Sequence, residues 1–294
     1  MRFLALLALI SPLALASPIG TVNQVVVFGD SLSDNGNAAI VAAQLNIPFP
    51  PLSNGPLWID QFAAKLSVPD PQPFLALTGG TNYAIATAQT GSNGLSGVSD
   101  QLALFAAAHL GGLPADALYT FWAGANDVFN GANPVLAADN IFNNILSLAA
   151  GGGKYFLWLN LPDLGLTPRA VAAGQTGPAN LASTAFNTEW AINLGKLQAQ
   201  GINVVGVNVE ALFAQIIANP GAFGFSNVTS PGQGQADPNS FLFWDEEHPT
   251  TAGHALVANL AFADLAAVPE PASIAVVALG LLSLVLWKRR EKKA

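Results

Sequence analysis

Three stretches of the chain carry residues able to do chemistry. Ser31 sits in VVVFGDSLSDNGN, where an apolar run stops at Gly29 and a polar loop follows. Asn126 sits in GANDVFNGAN, and Asp245 and His248 sit in FWDEEHPT, near the end of the chain. A serine hydroxyl is a weak nucleophile until a neighbouring base takes its proton, so a serine catalyst must also own a suitable histidine. The chain has three His residues. His109 ends an apolar helical stretch and His254 lies within TTAGHALVANL, positions that suit structural roles. His248 is on a loop, and Pro249 biases it away from helical geometry. Asp245 comes three positions earlier, close enough within a turn to orient the ring and stabilise its protonated form. The competing reading of each polar cluster is a turn or cap with no chemistry.

The elements that must position these residues alternate in type. Val22–Phe28 is β-branched and reads as a buried strand. Leu118–Trp122, Tyr155–Leu159 and Ile202–Val209 read as further strands, with Asn82–Ala86 as a short one. Helices are expected over Pro56–Leu66, Val98–Leu110, Pro134–Ala149, Asn180–Gln200 and Thr250–Ala266, several of them opened by Pro or stopped by Gly. The alternation predicts an α/β fold, a parallel sheet covered by helices on both faces. Ligands of such folds bind beyond the carboxyl ends of the strands. GDSLSDNGN, GANDVFNGAN and NLPDLG each follow a strand.

Composition narrows the classes. Half of the 294 residues are hydrophobic, enough for a large core, and the net charge is −8. Five of the ten Lys and Arg fall in the last seven residues, so the body lacks the basic clusters that nucleic acid requires. No Cys is present, which excludes disulfides, thiolate metal sites and a Cys nucleophile. No metal-ligand cluster and no cofactor motif is evident. GxSxG is absent, and GGGKY at 151–155 lacks the pattern of a phosphate-binding loop.

FGDSLSDNGN, GGTNYA, GANDVF and WDEEHPT, in this order, resemble the GDSL or SGNH hydrolase family, and LNLPDLGLTP looks like a segment of its lipase-like members. The resemblance covers residues 22–265. It implies a three-layer α/β/α sandwich, flavodoxin-like, and a carboxylic-ester hydrolase with no cofactor. Ser31 matches the nucleophile, His248 its base and Asp245 the residue that orients it. Asn126 matches the side-chain donor to the oxyanion. The backbone N–H of Ser31 matches another donor. The family usually supplies one more from a Gly, and the corresponding position here is Thr87, a departure. Ser33 falls two positions too late to be the nucleophile. Asp30, Asp34, Asn35 and Asp127 read as loop scaffolding. The substrate would be a small-molecule, lipid or acetylated-glycan ester. An acyltransferase would use the same residues, and a catalytically silent surface or matrix protein would keep only the fold.

The two ends read differently. MRFLALLALISPLALAS has the charged start, apolar stretch and A-x-A site of a secretory signal, so residues 1–16 are set apart from the fold. Residues 269–294 resemble the PEP-CTERM sorting signal: Pro-Glu-Pro, an apolar segment, then a basic end. The apolar run Ala272–Trp287 would give a short membrane-spanning helix of roughly 24 Å. The resemblance implies export in a Gram-negative-type bacterium, anchoring by the tail before processing, and recognition by an exosortase-type enzyme. The hydrolase domain is expected over residues 17–268.

Overall fold

The computed structural model describes residues 22–267. The expected signal peptide, residues 1–16, and the whole expected sorting tail, residues 269–294, with its apolar run 272–287, lie outside these residues. Among the described residues no helix is long and apolar enough to cross a membrane.

Four strands, β1 (Gln24–Gly29), β2 (Ala117–Trp122), β3 (Tyr155–Leu159) and β4 (Val204–Val207), form one parallel sheet in the order β1-β2-β3-β4. Side chains of a strand alternate between faces, and β1 divides its apolar residues accordingly. Val25 and Val27 join the core formed with α2 (Trp58–Leu66), α8 (Val209–Ala218) and α9 (Thr251–Ala266). Val26 and Phe28 join the core on the other face, with α3 (Val98–Ala108), α5 (Pro134–Ala150) and α7 (Thr176–Ala199). Every residue of β2 is buried, as a strand covered on both faces must be. The three layers match the expected α/β/α arrangement.

The segment expected as a strand at 82–86 runs alongside β1 without becoming a regular strand. Val27 N–H donates to Thr81 O, Tyr83 N–H to Val27 O, and Ile85 N–H to Gly29 O. Asn82 makes only isolated bridges, to Val27 and Pro73. On its far side, backbone and side chains share the edge: Asn82 N–H donates to Gln72 O and Phe74 N–H to Asn82 O, while Asn37 Nδ2 donates to the carbonyls of Asn82 and Ala84, and Asn82 Oδ1 accepts from Ala84 N–H. The strand expected over 202–209 is shorter at both ends, because Asn208 caps a helix by accepting from Ala211 N–H and α8 starts at Val209. Sequence reading also passed over α4 (Ala125–Phe129), α6 (Pro168–Ala172) and α8, while α1 (Asn37–Gln44) starts at the end of the polar run that follows Ser31. It passed over a second, two-stranded parallel sheet of β5 (Asn227–Pro231) and β6 (Phe241–Phe243) as well.

Candidate active site

Ser31 follows β1 by two residues, and packing demands Gly29 just before it. A Cβ at Gly29 would lie 2.6 Å from the carbonyl oxygen of Trp122 on the adjacent strand. The chain then turns sharply, with the N–H groups of Ser33 and Asp34 both donating to Asp30 O. Trp58 Nε1 braces the turn by donating to Ser33 Oγ at 3.0 Å. The buried Asp34 carboxylate accepts from the N–H groups of Gly36, Asn37, Ala38 and Ala86. Asn82 Nδ2 donates to Ser33 O and Asn35 Oδ1. These contacts make scaffolding of Ser33, Asp34 and Asn35. The bracing roles of Asn37, Asn82 and Trp58 were not read from sequence, although the first two lie inside the quoted polar clusters.

His248 and Asp245 come from a loop closed on itself. Phe243 and Pro249 form an antiparallel bridge, and Trp244 N–H donates to His248 O at 2.7 Å. Asp245 Oδ1 accepts from the N–H groups of Glu247 and His248, and Oδ2 lies 2.7 Å from His248 Nδ1. His248 Nε2 lies 2.8 Å from Ser31 Oγ. A carboxylate only accepts, so Nδ1 carries the hydrogen and Nε2 is left to accept the Ser31 O–H. Burial alone would lower the His248 pKa. The hydrogen bond and charge of Asp245 outweigh it and hold the imidazole above its usual value. Burial pushes Asp245 up, but its bonds to His248 and the loop N–H groups prevail and hold it below the usual carboxylate range.

Asn126 lies in the first turn of α4. Gly124, before it, has φ +126°, and a Cβ there would meet the Phe186 ring at 2.6 Å. Asn126 Nδ2 donates to Ala88 O at 3.0 Å, which leaves its second amide hydrogen uncommitted. The next residue, Asp127, is buried and accepts from both N–H and Oγ1 of Thr90. Burial raises its pKa above the ordinary carboxylate value. Residues 85–90 are thus strapped onto α4. Ala88 N–H donates to Ile85 O, closing a turn with Thr87 in its third position. Thr87 has φ +68°, the left-handed conformation that such a turn takes and that Gly or Asn normally fills. Neither Thr87 N–H nor Ser31 N–H has an acceptor among the described residues.

Beside Ser31 a hollow of about 570 Å³, its open mouth included, lies at the carboxyl ends of β1 to β3. Its walls are largely apolar, with Trp122, Phe129, Leu164, Phe213 and Phe243 among them, and Ser31, Asn126 and His248 all face it. Asp30 also lines it and is 1% exposed. Its Oδ1 accepts from Leu32 N–H at 3.0 Å, while Oδ2 has no partner. Burial pushes the Asp30 carboxyl up to about 7, against the smaller pull of the Leu32 N–H and of His248. His109 caps α3, its Nδ1 2.8 Å from Phe105 O. His254 is wholly buried with both ring nitrogens unpartnered. Neither belongs to the hydrogen-bonded chain of Ser31, His248 and Asp245.

Such an arrangement can activate a hydroxyl next to a set of N–H donors and an apolar recess. Comparison with known proteins points the same way. Residues 25–261 match the model of the GDSL-like lipases/acylhydrolases, and residues 267–290 match the PEP-CTERM protein-sorting motif. An uncharacterised protein from the trpE–trpG intergenic region of Pseudomonas putida is 30% identical over 91% of this chain and 52% of its own length. The thermolabile hemolysin of Vibrio parahaemolyticus is 28% identical, over 81% of this chain and 62% of its own. Esterase EstA of Pseudomonas aeruginosa is 31% identical, over 58% and 30% respectively. The chain thus spans from 30% to 62% of the length of these relatives.

Proposed function

Because the chain belongs to the GDSL-like lipase/acylhydrolase family, we propose that it is an exported serine hydrolase of carboxylic esters. The observation that carries the reading is the unbroken hydrogen-bonded chain from Ser31 through His248 to Asp245 at the edge of an apolar hollow. In this mechanism Ser31 Oγ attacks the ester carbonyl carbon as its proton passes to His248 Nε2. Asp245 holds the ring and stabilises the imidazolium. The carbonyl oxygen, now an oxyanion, lies among the N–H groups of Ser31 and Thr87 and the free amide hydrogen of Asn126. When the ester C–O bond breaks, His248 gives the proton to the leaving alcohol. Water then attacks the acyl-serine by the same route in reverse, releasing the acid and restoring Ser31.

The substrate in this reading is a lipid, small-molecule or acetylated-glycan ester. The sorting motif supports export and sorting to the cell envelope, with an exosortase-type enzyme as the processing partner and a hydrolase domain over residues 17–268. The test is covalent. A fluorophosphonate should label the purified protein at Ser31, located by peptide mass, and should leave the Ser31→Ala variant unlabelled. Equal labelling of the two proteins would overturn the assignment.

A further inference from the structure

Arg169, on α6, is committed to two partners at the rim of the hollow. Its Nη1 lies 2.6 Å from Glu247 Oε2, and its guanidinium carbon sits 4.3 Å from the centre of the Phe129 ring. Its backbone N–H donates to Glu246 O at 2.8 Å. One short helix is thereby clamped to the loop that carries Asp245 and His248, and to α4, which carries Asn126.

Phe129 is shared between two hollows. On one side is the recess beside Ser31, whose wall also includes Glu247. On the other is a hollow of about 920 Å³, mouth included, between α4, α6 and the first turns of α7. Its lining includes Val128, Ala132, Arg169, Ala173 and Pro178. Phe129, its ring covered by Arg169, lines both. Phe129 also stands three residues beyond Asn126 on the same helix, so the two side chains are neighbours one turn apart. A chain leaving a carbonyl held at Asn126 and running along α4 meets that ring.

We propose that Phe129, pinned by Arg169, is the partition between the two hollows and sets the acyl-chain limit of the site: the preferred substrates are esters whose aliphatic acyl chain ends at the ring, and longer chains enter only when the ring swings aside and joins the two hollows. The proposal rests on the ester-hydrolase reading above. Each methylene buried before the partition should raise kcat/KM about fourfold, and each one beyond it should add nothing.

The experiment is a series of p-nitrophenyl esters from acetyl to dodecanoyl, with the ratio of long-chain to short-chain kcat/KM taken within each variant so that any general loss of activity cancels. In Phe129→Ala the rise should continue past the wild-type limit, lifting that ratio by about tenfold or more. Arg169→Gln, which frees the ring without removing it, should shift the ratio the same way by less. Phe129→Trp should move the limit to shorter chains. A parallel series of alkyl acetates, in which only the alcohol lengthens, should keep its wild-type pattern. Unchanged acyl ratios in all three variants, with Ser31 still labelled by fluorophosphonate, would overturn the partition and leave the hydrolase reading standing. A shift confined to the alkyl acetates would overturn the assignment of the recess to the acyl chain. Absence of both hydrolysis and labelling in the wild type would overturn the hydrolase reading itself, and the partition with it.

Discussion

Asn126 Nδ2 donates to the carbonyl oxygen of Ala88, one residue past Thr87, at 3.0 Å. One side chain thus aims an amide hydrogen at the recess beside Ser31 and ties down the strap that carries the Thr87 N–H. Asn126→Ala removes a donor and loosens a second one. Its turnover should fall by at least the roughly 10²–10³-fold that a single oxyanion donor is worth. Asn126→Asp keeps the size but can only accept when ionised, and should lose as much. The measurement is kcat on one ester at matched folding; a loss under about tenfold in Asn126→Ala would remove this residue from the site's machinery.

Thr87 offers the opposite case. Its side chain is exposed and its backbone is left-handed, at φ +68°. A β-branched residue there is strained by roughly 1–2 kcal/mol. Thr87→Gly relieves that strain while adding about 0.4–1 kcal/mol of unfolded-state entropy, so stability should stay level or rise by less than about 2 kcal/mol. Turnover should stay close to wild type, because the backbone N–H remains. Thr87→Pro deletes that N–H and forbids positive φ, and should abolish activity. Retained turnover in Thr87→Pro, with the fold intact by circular dichroism, would show that the oxyanion does not depend on this residue.

The fold was legible where local pattern and tertiary role agree. Val25 to Phe28 alternate between two cores, and an all-apolar run is what a strand covered on both faces requires. Ser31 could be picked out because it stands at the end of such a run, and His248 because Pro249 and Asp245 fix its loop. The missed elements lack that agreement. β6 is only three residues long, too short for periodicity to show. α8 follows β4 almost without a break, so its first residue, Val209, reads as more strand. The segment at 81–85 bonds like a strand to Gly29 and Val27 on one side, and on the other to the backbone of Gln72 and Phe74 and to the Asn37 side chain, and an edge completed partly by a distant amide has no local signature. The clamp of Arg169 on Glu247 and Phe129 joins residues far apart in sequence and could come only from the folded chain.

The pH profile should report His248. Catalysis needs its neutral form, so kcat/KM should fall as pH drops through its pKa, which lies above the ordinary 6.5. Burial opposes that rise, and the Asp245 hydrogen bond and charge drive it. Asp245→Ala should therefore move the acid limb to lower pH as well as lowering its plateau. Asp30→Asn should move it the same way by less, because an ionised Asp30 makes only a small contribution. An acid limb that stays in place in Asp245→Ala would mean that another group controls it.

Two buried groups outside the hydrogen-bonded chain should oppose one another in stability. Burial, with a smaller push from the charge of His248, drives His254 down to about 3 from 6.5. Below 6.5 the unfolded chain binds a proton there that the folded chain does not. Stability from this group is complete above 6.5 and is lost as pH falls, by about 1.4 kcal/mol per pH unit. Asp30 behaves in reverse, its carboxyl rising from 3.8 to about 7 through burial. Between those values the folded chain keeps a proton that the unfolded chain releases, so stability is complete below 3.8 and is lost as pH rises, with a similar slope. From 3.8 to 6.5 the two contributions should cancel. Asp30→Asn should then show stability rising with pH across that window, relative to wild type, and His254→Leu should show it falling. His254→Leu should also be neutral or stabilising at about pH 5, because it removes two ring nitrogens that are buried without partners. Urea unfolding across the window, read as the difference between each variant and wild type, measures both slopes. Flat differences would mean that neither group keeps its burial-shifted protonation state in the folded chain.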